Sequence, residues 1–242
     1  MRSPGAGAHR FSMKAELTGS DWWQHGKDLF LTTSLTESPL APDYDRSAMI
    51  TGIIHIGVGG FHRAHEAVYL DRLMRRRAGA GPRDGAEPIK PGGSCLEWGI
   101  CGVGLLPGEA RMRDALESQG HLYTLIRKHP GGLRDPVVIG SIHDYRLAPD
   151  DPEAVLALMS RPTTRIVSLT ITEGGYNVDD VTGEFRTFSP GAVHDATHPG
   201  EPTTAFGYIV EALRRRRADG IPPFTVMSCD NLPGNGKVAR TA

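Results

Sequence analysis

Three short runs of this chain set glycines beside imidazole, carboxylate or amide side chains: IIHIGVGGFHRAH at 53–65, TEGGY at 172–176 and SCDNLPGNG at 228–236. The first suits anion binding. Gly57 permits a tight turn after an apolar run, Gly59 lets backbone approach a pyrophosphate, and free amides at Gly60 and Phe61 open a helix towards the anion. The position of the usual third glycine holds His62, so a purely structural strand–helix turn stays open as the alternative. His62 and His65 stand three apart, but no Cys/His cluster supplies the further ligands that zinc needs. No metal site is expected, and His62 is assigned to a cap or a phosphate contact. In the second run Thr172 and Glu173 either hydrogen-bond a ligand or form a polar turn. In the third, the Asn231 amide either donates to a developing alkoxide or joins Asp230 in an Asx-turn. Cys229 has no visible base or orienting group and is not expected as a nucleophile.

Strands must present these runs. Ile50 to Gly57 reads as a buried strand, His62 to Arg77 as an amphipathic helix, and Trp98 to Leu105 as a second buried strand. A helix to about Gln119 follows, then strands at 121–128 and 136–142. DDPEAVLALMS carries a helix start, with Asp150 or Asp151 as cap and Pro152 in the first turn. RIVSLTIT at 165–172 is a strand, a long loop follows, residues 203–219 are helical, and 224–229 is a last strand. Strands alternating with helices predict an α/β, Rossmann-like fold with a mostly parallel sheet and flanking helices. Ligands collect beyond the carboxyl ends of such strands, where all three runs would meet. A ribose-binding carboxylate belongs after the second strand. Glu109 is placed there, or is an ordinary helix-start acid; Glu97 precedes the strand, at its wrong end.

Residues 1–49 are expected to be loosely ordered, with Trp22, Trp23, Leu29 and Phe30 able to dock on a domain at 50–242, and Met13 is an alternative start. Residues 78–94, rich in Gly and Pro, read as a flexible loop. A net charge of -1 argues against nucleic acid or membrane as a partner. The basic run Arg214 to Arg217 reads as a solvated helix end. Cys95, Cys101 and Cys229 are odd in number, widely spaced and form no CxxC, which argues against a disulfide framework and fits a cytoplasmic setting.

Together HIGVGGFHRAHEAVYLD, WGICGVGLLP, IVSLTITEGGYNVDD and PPFTVMSCDNLPGNG closely resemble the mannitol dehydrogenase family of polyol-specific long-chain dehydrogenases. The resemblance runs from about Ile53 to the end of the chain. It implies hydride transfer between NAD(H) and a polyol/ketose pair, without a metal, by a Rossmann-like half joined to a helical substrate half. It also matches the family's cofactor-selecting acid to Glu109 and places one of two oxyanion-site asparagines at Asn231; with the readings above, the expected cofactor contacts are Gly57, Gly59, Gly60, Phe61, His62, Glu109, Thr172 and Glu173. The family's general base is the lysine of a Lys-x4-Asn-x2-His motif. None of the five lysines, Lys14, Lys27, Lys90, Lys128 and Lys237, begins that motif. The expectation is a nucleotide-binding half without the substrate half, not competent alone, its uncovered face free to self-associate. The alternative is a stand-alone nucleotide-binding module without turnover.

Overall fold

Strand β1 (Thr51–Ile56) is buried along its whole length, as expected of a central parallel strand covered on both faces. In this computed structural model, which describes residues 41–78, 95–132, 134–179 and 181–242, the strand runs into two consecutive helices, α1 (Gly60–Ala64) and α2 (Glu66–Ala78). Next come β2 (Gly99–Gly104), α3 (Ala110–Glu117), the hairpin strands β3 (Tyr123–Lys128) and β4 (Arg134–Ile139), and β5 (Ile142–Leu147). The remainder is α4 (Pro152–Ser160), β6 (Ile166–Leu169), the one-turn α5 (Thr172–Gly175), α6 (Pro190–Thr197), α7 (Ala205–Ala218), β7 (Thr225–Ser228) and α8 (Asn235–Thr241). Among the described residues no helix is long and apolar enough to cross a membrane.

The main sheet has the order β5-β2-β1-β6-β7, and every neighbouring pair is parallel. This is a doubly wound sheet whose order reverses between β1 and β6, the switch point where such folds bind ligands. Side chains alternate across β1. Ile54 and Ile56 pack with Val167, Leu169 and the buried faces of α4 and α7. Ile53 packs on the other side with Ala67 and Val68 of α2, Leu116 of α3 and the hairpin residues Tyr123 and Ile139. His55 shares that second side.

Local signals explain most elements. Asp151 caps α4 by accepting from Ala154 N, and Thr204 caps α7 by accepting from Gly207 N. The long helix read at 62–77 is broken at His65, which leaves helical geometry (φ -123°, ψ -87°). The strands read at 121–128 and 136–142 form a separate antiparallel hairpin, with Pro136 opposite Ile126. The strand that completes the main sheet is instead β5, IHDYRL, whose Asp144 and Arg146 mask it in sequence; an edge position tolerates them. Helix α6 lies within the long loop read after β6, and α8 follows the last strand in a stretch given no element.

Two further expectations are corrected. Residues 41–49 are not loose: the compact unit is Leu40–Ala242. Buried Tyr44 donates to Asp71 Oδ1 (2.6 Å), and the Arg46 guanidinium donates to the carbonyls of Gly120, Gly140 and Ile142. The docking foreseen for Trp22, Trp23, Leu29 and Phe30 and the loop at 79–94 lie outside the described residues. The basic run is not a simple solvated end either. Arg216 is buried, donates to the carbonyls of Met159, Arg161 and Pro222, and lies 5.3 Å from the Phe224 ring centroid. Arg214 and Arg215 pair with buried Glu211 and hold its carboxyl down at about 2. Arg214 and Arg217 are exposed. Arg216→Ala is therefore expected to cost about 3 kcal/mol in urea denaturation, since three carbonyls lose their donor. Arg217→Ala should stay within about 0.5 kcal/mol of wild type; equal losses would show that Arg216 carries no such role.

Candidate functional site

Gly57 leaves β1 with φ +91°, and a Cβ there would lie 2.2 Å from the Thr170 carbonyl oxygen. Only glycine satisfies both the left-handed backbone and the contact. The turn is tied on three sides. Gly57 N donates to Val103 O (3.0 Å), and Gly57 O accepts from Gly59 N (2.7 Å) and Thr170 Oγ1 (2.6 Å). Above Gly60 nothing lies within 4 Å of a built Cβ. The helical bonds begin at Arg63 N→Gly59 O (3.2 Å), so the amides of Gly60, Phe61 and His62 precede the first intrahelical bond. Phe61 is half exposed, and its ring stacks on His65 at 4.2 Å.

His62 is placed differently from expectation. The cap of α1 is Gly59, without a side-chain bond. The His62 ring is fully buried and stacked on His55, with ring centroids 3.5 Å apart. Both its nitrogens lack surface and hydrogen-bond partner, so the ring neither caps the helix nor reaches a phosphate. Burial, then the neighbouring His55, hold its pKa down at about 2. Glu66 stands 3.1 Å from His55 Nδ1 and 3.5 Å from His62 Nε2, the latter without hydrogen-bond geometry. These three residues, with Tyr69, Thr170, Met227 and others, line a cavity of about 460 Å³.

The second and third runs meet through Asp230. Its carboxylate accepts from Ile171 N and Thr172 N (3.0 Å each) and from Tyr176 Oη (2.6 Å), which also bonds Ser228 Oγ (2.6 Å). Cys229 N donates to Leu169 O (2.8 Å) and continues the β6–β7 ladder. Asp230 thereby fixes the end of β6 against the end of β7 and holds Thr172 at φ +60°, a strained value for a β-branched residue. Thr172 and Glu173 open α5, and exposed Asn231 follows the clamp directly. Cys229 is inert as a nucleophile: burial, then Glu66 and Asp230, push its thiol up to about 11.

Glu109 sits beyond β2 on the same edge, but its Oε2 accepts from the backbone of Leu105 (2.8 Å) and Leu106 (2.9 Å). It is thus a loop-closing acid with one oxygen engaged. Glu97 lies at the opposite end of β2 and pairs with Arg165 (3.1 Å). Thr170, His55, Glu66 and Tyr176 were missed as site residues, and Asp230 was read only as a partner of Asn231 at the strand end. Thr170 and His55 were legible in principle, being adjacent to the glycine turn and on one side of neighbouring strands; the Asp230 clamp needed the register.

The residues 51–242 match a family model described as the mannitol dehydrogenase Rossmann domain. The chain is 49% identical over 208 residues to the mannitol 2-dehydrogenase of Cereibacter sphaeroides, covering 86% of itself and 40% of that relative. It superposes with a TM-score of 0.75 and 47% identity on Pseudomonas fluorescens mannitol 2-dehydrogenase, solved as a ternary complex with NAD and D-mannitol, over 86% of this chain and 39% of that one. A substrate-free D-sorbitol dehydrogenase matches with a TM-score of 0.73 and 43% identity, over 83% and 38% of the two chains. The chain thus spans about 40% of the length of the relatives it matches.

Two outcomes are expected of the site's own residues. Asp230→Asn places an amide against two backbone donors and should cost about 1–3 kcal/mol in chemical denaturation; a loss below about 0.5 kcal/mol would contradict the clamp. The second concerns pH. Unfolded, His62 titrates near 6.5; folded, near 2. Below pH 6.5 the unfolded chain takes up a proton that the folded chain refuses, so stability falls as pH drops. The fall approaches about 1.4 kcal/mol per pH unit from this group. His121 and His143, also lowered by burial, act in the same direction. Wild type should therefore lose stability between about pH 7 and 5 more steeply than His62→Leu; parallel curves would refute a buried neutral His62.

Proposed function

The chain belongs to the mannitol dehydrogenase family, and from that premise we propose that it holds NAD(H) across the carboxyl edge of its sheet for hydride exchange with a polyol/ketose pair. The observation that carries this reading is the glycine turn: a left-handed Gly57 locked under Thr170, with open space over Gly60. A pyrophosphate fits where side chains are absent and unbonded amides begin a helix. The cradle suits the cofactor because any Cβ at Gly57 would close the turn.

NAD, when bound, supplies the hydride-accepting ring. The chain's own residues bind and orient. The amides of Gly60 and Phe61 meet phosphate. The second carboxylate oxygen of Glu109 accepts from the adenosine ribose, while Oε2 stays on Leu105 and Leu106. Thr172 and Glu173, with Asn231 beside them, present polar groups where β6 and β7 end. Asn231 donates to the substrate oxygen as negative charge develops on it, a contact worth roughly 10²–10³ in rate per donor. A general base typically contributes about 10²–10⁴. Among these 242 residues the family's Lys-x4-Asn-x2-His motif does not occur. The reading is therefore cofactor binding without polyol turnover by these residues alone, in a cytoplasmic setting that keeps Cys95, Cys101 and Cys229 as thiols. The apolar cavity wall at Tyr69, Leu70 and Met227 gives the isolated chain a face for self-association.

The test is a titration of the folded chain with NADH and with NADPH. NADH should saturate and bind at least about tenfold tighter, because a carboxylate at the ribose repels a 2′-phosphate. Glu109→Ala should narrow that preference. No saturable NADH signal from a folded sample would contradict the reading as a whole; equal affinities unaltered in Glu109→Ala would contradict only the role of Glu109.

A further inference from the structure

Beneath the glycine turn lies a polar cluster that cofactor binding does not explain. β1 puts His55 on the same side as Ile53, and α1 and α2 bring His62 and Glu66 over it. Thr170 Oγ1 donates to Gly57 O, so both can only accept from His55 Nε2, at 2.8 and 3.3 Å. Nε2 therefore carries a proton. Ser168 Oγ donates to Glu66 Oε2 (3.0 Å). His55 Nδ1 is then left facing two acceptors, Ser168 Oγ at 2.8 Å and Glu66 Oε2 at 3.1 Å. Both nitrogens of His62 and Oε1 of Glu66 are buried without a partner. Buried polar atoms in native proteins are almost always satisfied, and orphans of this kind point to a bound water or ion. A neutral His62 offers one N–H and one lone pair, so with His55 Nδ1 and Glu66 Oε1 the unsatisfied lone pairs outnumber the donors three to one, which suits a cation.

We propose that His55, His62 and Glu66 form a binding site for one divalent transition cation of the zinc class. The ligands are Nδ1 of His55, a ring nitrogen of His62 and the Glu66 carboxylate, whose candidate atoms all lie within 4.8 Å of one another. The Nδ1–Oε2 and Nε2–Oε2 separations of 3.1 and 3.5 Å lie close to the roughly 3.3–3.6 Å between ligands of a tetrahedral ion with bonds of about 2.0–2.2 Å. His55 also has the outer partner that metal-bound imidazoles use, its Nε2–H being held by a carbonyl and a hydroxyl. The two rings are nearly parallel, with centroids 3.5 Å apart, so His62 must turn for both lone pairs to converge on one ion; it loses no hydrogen bond in doing so, because it makes none. Two imidazoles and one carboxylate select zinc or cobalt over calcium or magnesium. Three protein ligands leave the fourth position to the cavity they line. Cys229 lines it too, but its thiol bonds Met227 O and is not a ligand.

The sequence argued against a metal because His62 and His65 lacked a third ligand. The fold pairs His62 with His55 instead, while His65 Nδ1 bonds Phe61 O (2.8 Å). The site is independent of the hydride-transfer reading. Through His55 and Gly57 O it reaches the turn, so filling it should stiffen that turn.

The test is titration of the chelator-treated full chain with Co²⁺, read by visible d–d absorption, and with Zn²⁺ by calorimetry. A His194→Ala background removes the surface pair His194/His198, whose rings lie 4.9 Å apart. One cation per chain is expected, with tetrahedral Co²⁺ bands and no sulfur charge-transfer band. His62→Ala and Glu66→Gln should each weaken binding at least about tenfold, with native circular dichroism. Wild type itself should gain thermal stability with Zn²⁺ and not with Mg²⁺. Absence of stoichiometric binding, binding unchanged in both variants, or a Co²⁺–thiolate spectrum would overturn the site.

Discussion

The structure depends on how closely the backbone of β6 passes the end of β1. The Thr170 carbonyl lies where a side chain of residue 57 would begin. That approach excludes every residue but glycine, bends the chain into α1, and lets Thr170 Oγ1 lock the Gly57 carbonyl. The same approach aligns the ends of β6 and β7, so the Asp230 carboxylate can bridge them. The two glycine- or acid-rich ends are consequences of one register: Ile56 opposite Leu169, and Leu169 opposite Ser228.

Much of this was legible in the sequence because parallel α/β sheets impose a strong pattern. β1, β2 and β6 are short apolar runs, almost wholly buried, and β7 is an apolar edge run that stops at an acid. β5 was not legible. Its Asp144 and Arg146 belong to an edge, and the preceding hairpin absorbed the β-branched signal at 137–139. Arg216 shows a second limit. Four successive arginines look solvated, yet helical periodicity turns one of them onto the carbonyls of Met159 and Arg161. Whether a charged residue faces in or out is decided by its phase on the helix, not by its neighbours in the run.

Within the site, legibility followed sequence distance. Gly57 makes the tight turn that its place after β1 suggested, and Gly59 and Gly60 lead from it into α1. Glu109 was rightly placed beyond β2, but its bonds to Leu105 and Leu106 depend on a loop geometry that spacing does not encode. His62 was misread because its helix breaks at His65 and carries the ring inward, onto His55. The clamp from Asp230 to Thr172 joins residues 58 apart in sequence; no local pattern announces it.

The central claim is that the glycine turn receives the cofactor's pyrophosphate. Amide chemical shifts of the isotopically labelled chain, followed through a titration with NADH, test it most directly. The account predicts the largest changes at Gly59, Gly60 and Phe61, with further changes at Leu105 to Glu109 and at Thr172. Saturable binding that leaves the amides of 59–61 unmoved, with changes confined to another face of the domain, would contradict it.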